Sequence, residues 1–150
     1  MITFDPVVLD SAMLDEAKAY LRLETDEDDA PLGAMILAAI THAERFLNQM
    51  LIRRGFQNLF NVTPEWRRLG ATPVVSVTGV LGVPAEGARF ALPVGAYAID
   101  LDSNADAWVR VTMPGSAGRV EVSGVAGIAE NWPLLPETIR LGVLRLIGHL

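Results

Sequence analysis

An apolar stripe running from Leu32 to Met50 constrains this chain more than any other feature. Leu32, Met35, Ile36, Ala39, Ala43, Phe46, Leu47 and Met50 recur at spacings of three, four and seven. That period gathers side chains on one face of an α-helix and gives the face a core to cover. Asp28 and Asp29 stand where a helix start favours negative charge, and Pro31 falls in the first turn, where its missing N–H costs nothing. Gly55, following Arg53 and Arg54, marks the expected end of this segment. Upstream, Asp10 or Ser11 can cap an earlier helix on which Leu14, Ala17 and Leu21 share a face. The run Glu24-Thr25-Asp26-Glu27-Asp28-Asp29 then reads as a charged, solvated loop joining the two helices.

From Phe56 to Gly127 the grammar changes to Val, Thr, Phe and Trp punctuated by Gly and Pro, the pattern of short strands. Strands are expected at residues 56–62, 73–80, 97–101, 107–113 and 119–125. Val120 and Val122 alternate with Glu121 and Ser123, which implies one buried and one wet face. Pro114-Gly115-Ser116-Ala117-Gly118 fits a hairpin-like loop between the last two. After Trp132-Pro133 a further helix opens near Leu135-Pro136-Glu137 and carries Ile139, Leu141, Val143, Leu144, Leu146, Ile147 and Leu150. Apolar on more than one face, it is expected to be buried, and nothing after Leu150 closes it. The fold class is therefore α+β: an N-terminal helical pair and a C-terminal helix packed together, with a small antiparallel β insertion between them. The 150 residues are expected to form a single domain, with a helical part at 1–55, the β-rich insertion at 56–127 and the closing helix at 133–150.

Composition narrows the function. Hydrophobic residues make up 51% of the chain and the mean hydropathy is +0.31, an oily balance that implies surface intended for partners. The longest uncharged apolar run, Ala30 to Ile40, is far short of the ~20 residues a bilayer crossing needs, and the N-terminus has no basic flank of a secretory signal. With no Cys, the chain has neither disulfides nor a thiolate nucleophile. The net charge of −6 is concentrated at the start, where nine acids oppose Lys18 and Arg22 within the first 30 residues. Without a basic stripe, the chain is a poor candidate for gripping nucleic acid through its phosphates, and any contact with DNA is expected to be repulsive or fleeting.

Catalytic patterns are missing. His42 and His149 stand alone on helical segments, with no nucleophile-elbow Ser, and there is no phosphate-cradling Gly-Lys-Ser/Thr loop. Asp100-Leu101-Asp102-Ser103-Asn104-Ala105-Asp106 begins like a calcium loop. Ala105 stands where the sharp turn needs Gly, however, and Val111 replaces the bidentate Glu. Asp and Asn serve equally well in an ordinary turn. Trp66 beside Arg67 and Arg68 suggests packing at a sheet edge rather than base stacking, which calls for several aromatics in a basic groove.

Three blocks, in order, resemble the phage head-tail connector (adaptor, or head-completion) family, which includes gene transfer agent adaptors. The first is Leu14 to Arg22 with the acidic loop and the helix through Ala38-Ala39, Ala43-Glu44-Arg45 and Phe46. The second is Pro73-Val74-Val75-Ser76-Val77 with Tyr97-Ala98-Ile99-Asp100. The third is Val122 to Gly127 with Leu135-Pro136-Glu137-Thr138-Ile139-Arg140 and the terminal Leu146 to Leu150. The resemblance implies a structural, non-enzymatic protein that needs no cofactor or metal. It implies a homo-oligomeric ring, usually of twelve copies, between the portal protein and a stopper or tail-terminator protein. Double-stranded DNA would pass transiently through the lumen. The location implied is the portal vertex of a virion or virus-like particle assembled in the bacterial cytoplasm, with no membrane partner.

A closed ring needs two different complementary faces on each subunit, and the oily composition can supply them. Ile139, Val143, Leu144, Ile147 and Leu150 are the expected portal-binding residues. Glu24, Asp26, Glu27, Asp28 and Asp29 are expected to line the channel or make ring contacts. The competing expectation is a small metal- or ligand-binding α+β domain, possibly hydrolytic, built around Asp100, Asp102, Asn104 and Asp106.

Overall fold

In the computed structural model, residues 1–149 are described, and they gather into two compact units. The β unit comprises Met1–Asp5 and Arg54–Gly127; the helical unit comprises Pro6–Arg53 and the chain from Ile128 on. The fold class is α+β, as the sequence implies, with three helices and antiparallel sheets.

The β unit holds two antiparallel sheets rather than the one expected. The larger contains β1 (Ile2–Phe4), β2 (Arg54–Asn61), β4 (Val74–Pro84), β5 (Phe90–Ala91) and β8 (Ala117–Ala126), in the order β1-β2-β8-β4-β5. The smaller contains β3 (Arg67–Arg68), β6 (Tyr97–Leu101) and β7 (Ala107–Val111), in the order β3-β7-β6. Alternation sets the faces: Phe56 and Phe60 on β2, Val120 and Val122 on β8, and Val109 and Val111 on β7 are all buried. The buried amide of Asn58 is satisfied at both ends, donating to the Met1 carbonyl at 3.2 Å and accepting from the Gly70 N–H at 2.8 Å.

The central strand β8 pairs with β2 on one side and β4 on the other. Gly124 belongs there because a Cβ would run into the Ser76 carbonyl oxygen and the Phe56 ring. The loop 114–118 is not a hairpin. It carries the chain from β7 in the small sheet to β8 in the large one, so the strands it joins do not pair.

In the helical unit α1 (Ser11–Leu21) starts at Asp10, whose carboxylate accepts the Met13 N–H at 2.8 Å. The second helix, α2 (Asp29–Leu47), begins where the acidic pair predicts. It ends seven residues before Gly55, at Asn48, which takes the left-handed conformation with φ 54°. Gly55 instead lies in β2 beside the Asp5 carboxylate, where a Cβ would clash. The closing helix α3 (Glu137–Gly148) follows a 3-10 turn at Trp132–Leu134.

Met13, Ala17, Leu32, Ile36, Ala39, Ile40, Leu51, Trp132, Val143, Leu144 and Ile147 form the core of this unit. Trp132 is buried, and its indole N–H donates to Glu16 Oε2 at 2.6 Å. Glu44 Oε2 accepts the Leu51 N–H at 2.8 Å, fixing the chain after α2. The stripe read from the sequence is not all core. Phe46 is 91% exposed and Leu47 is 43% exposed. Likewise α3 is amphipathic rather than apolar all round: Leu141 and Leu146 stay exposed, because Thr138, Arg140, Gly142 and Arg145 divide its surface.

Candidate docking surface on the helical unit

The C-terminal half of α2 and the length of α3 border an open groove of about 670 Å³. Ala43, Phe46 and Leu47 line it from α2, and Ile139, Gly142 and Leu146 from α3. Gly142 leaves the groove wide because it presents no side chain, and nothing would meet a Cβ placed there. His42 and His149, the two histidines of the sequence, both lie on this groove. On α2 a smaller depression shares His42 and adds Arg45, which is exposed and makes no ion pair among the described residues. The surface is thus an apolar trough with cationic or protonatable groups on its α2 side. Sequence reasoning reached it only through Ile139 and Val143, since a helical stripe does not distinguish residues facing a core from residues facing a partner.

Of the residues expected to bind the portal, Val143, Leu144 and Ile147 are buried in the helical core. Docking through Leu144 and Ile147 would require the core to open, whereas Val143 also lines the groove. Ile139 is partly buried and reaches the groove. Leu150 lies outside the described residues.

The acidic loop sits at the other end of α2. Lys18 Nζ reaches Asp26 at 2.6 Å and Asp29 at 3.0 Å, tying the loop to α1. The hydrogen bond from Lys18 holds the Asp26 carboxyl below the usual carboxylate range, and Asp26 and Asp29 raise the Lys18 ammonium above its ordinary value. Glu24, Glu27 and Asp28 are exposed and have no ion-pair partner among the described residues. Asp28 occupies the N-cap position of α2, yet its side chain makes no capping hydrogen bond.

The calcium-like segment is a capped turn. One oxygen of Asp102 accepts the Asn104 N–H at 2.8 Å and the Asp106 N–H at 3.1 Å, and the other accepts the Trp108 indole N–H at 2.9 Å. The Trp108 bond, first among these, depresses the Asp102 pKa. Ala105 takes the left-handed conformation, φ 61°, that a Gly would occupy more comfortably. Both carboxylate oxygens are thus engaged within the loop, and among the described residues no three His, Asp or Glu side chains converge as metal ligands. Trp66 and its neighbouring arginines pack at a sheet edge: Arg110 lies 4.9 Å over the Trp66 ring and Arg67 4.9 Å over the Phe60 ring.

Against known proteins, the profile of the phage gp6-like head-tail connector protein family matches residues 11–73. None of the curated proteins matches the chain. A chain in the solved neck of an empty gene transfer agent particle, computed with sixfold symmetry, is 26% identical with a TM-score of 0.81, over 99% of this chain and 82% of that one. Chains of similar fold occur in the neck of a native particle computed with twelvefold symmetry, at 23% identity and TM-score 0.74, covering 98% of this chain and 81% of that one. Another is found in the virion of a native gene transfer agent particle, at 24% identity and TM-score 0.72, covering 98% and 82%.

Proposed function

We infer that this chain, a structural head-tail connector protein by its family signature and its fold, forms a ring at the neck of a phage or gene transfer agent particle. The ring joins the portal to the stopper or tail, and double-stranded DNA passes through its lumen. One observation carries this reading: the resemblance to a particle-neck chain runs through 99% of the sequence, so it takes in both units and not only the residues 11–73 that the family matches. The working parts are surfaces rather than reactive groups. A ring subunit contacts its neighbours through two different faces, and the helical unit offers an apolar groove and a separate acidic loop. No catalytic step is assigned to this protein, and its place is in the particle.

Deleting the gene from the producing cell tests the reading. Filled heads without tails are expected, together with free tails, and the chain should be found at the neck when tagged protein is supplied in trans. Tailed, infectious or transfer-competent particles made without the chain would overturn it.

A further inference from the structure

The structure assigns a partner to the α2–α3 groove: the Leu23–Asp28 loop of a second copy of this chain. This rests on the connector reading, and it specifies which two faces meet around the ring.

Three observations converge on it. The groove is apolar, with Phe46 and Leu146 open to solvent along it, and Arg45 and His42 on its α2 side. The loop has the opposite character. Leu23, 36% exposed, precedes Glu24, Glu27 and Asp28, three carboxylates without an ion-pair partner among the described residues. The two surfaces therefore match in charge, and each brings an apolar residue to the contact.

They cannot satisfy each other within one chain. Lys18 ties the loop to the start of α2 through Asp29. Arg45 lies 16 residues further along that helix, about 24 Å away at the α-helical rise. Complementary faces held at opposite ends of a rigid helix associate head to tail, and a head-to-tail contact closes into a ring when its rotation permits. Lys18 takes up Asp26 and Asp29, which leaves Glu24, Glu27 and Asp28 to face Arg45 of the neighbour. The exposed Phe46 ring is then the apolar anchor of the contact, the kind of residue on which interface energy concentrates.

The absence of Cys from the chain makes a clean test possible. Thr25→Cys and Thr41→Cys keep every charge named above and place one thiol on the loop and one in the depression that adjoins the groove. Particles assembled from the double variant and then oxidised should give a ladder of crosslinked dimers, trimers and higher multiples. Either single variant should give no ladder. A double variant that stops at dimers, or particles with an intact neck ring and no crosslinks, would overturn the inference while leaving the connector reading in place. Absence of the wild-type chain from the neck would instead count against the connector reading.

Charge reversal supplies a second measurement. Arg45→Glu should weaken ring formation about tenfold or more, and adding Asp28→Arg should restore much of it. An Arg45→Glu chain that melts like the wild type and still assembles at wild-type concentration would also overturn the inference.

Discussion

The two units differ in how they treat their charged groups. In the β unit, several charges are answered in place. Asp102 binds its own turn and Trp108, Arg67 and Arg110 cover aromatic rings, Arg89 pairs with Glu121, and Asn58 is satisfied at both ends. Acids and bases there nearly balance, seven to six. The helical unit has eleven acids against six bases. It also leaves Phe46 almost wholly in water, with Arg45 and three carboxylates unanswered among the described residues. Both units leave large apolar side chains in water, Val94 at 82% and Met113 at 60% in the β unit, so the difference lies in the charge excess of the helical unit, which an assembled neighbour can answer.

The sharpest way to test this contrast is through the helical core. Trp132→Ala removes a buried ring and its bond to Glu16, and should cost about 3–5 kcal/mol. Denaturant unfolding followed by helical circular dichroism measures the loss. The indole signals of Trp66 and Trp108 report whether the β unit survives it. If all signals disappear together, the two units are energetically one, and the contrast is only one of surface.

A smaller effect is expected on the other side. Gly124→Ala forces a methyl group against the Ser76 carbonyl and Phe56 and should destabilise the β unit by about 1–3 kcal/mol. An unchanged melting transition would mean that β8 shifts freely, contrary to a tightly closed unit.

The subtlest prediction concerns pH. Asp102 has its pKa lowered chiefly by the Trp108 hydrogen bond. Its contribution is therefore present above the ordinary carboxylate value of about 4 and is lost as pH falls through the lower native value. Asp102→Asn should lack that acid limb. The gap between wild type and variant, read from Trp108 fluorescence during unfolding, should stay constant at neutral pH and narrow only below about pH 4. A gap that varied near neutrality would implicate another group.

Much of this architecture is legible from local pattern. The Asp10 cap and the start of α2 follow from short-range chemistry, and four of the five expected strands fall within two residues of their observed bounds at both ends. What sequence alone misses is non-local. The three-residue β1 exists because β2, more than fifty residues later, pairs with it. The 114–118 loop looks like a hairpin turn, yet its flanking strands join different sheets. The end of α2 is hidden because Asn48 can adopt a positive φ that periodicity does not register. The site divides the same way: the acidic loop is visible as composition, but the groove is not. Phe46 keeps the helical rhythm of its neighbours while facing water, and Val143, Leu144 and Ile147 keep it while facing the core.

The helical unit is assembled from chain that flanks the whole β unit, with 74 residues, 54 to 127, separating its two parts. During translation at about 5–20 residues per second, α2 is complete roughly 5–20 s before α3. Both walls of the groove exist only once α3 has been made. On the proposed contact, an unfinished polypeptide that lacks α3 therefore has no complete groove in which to seat a neighbour.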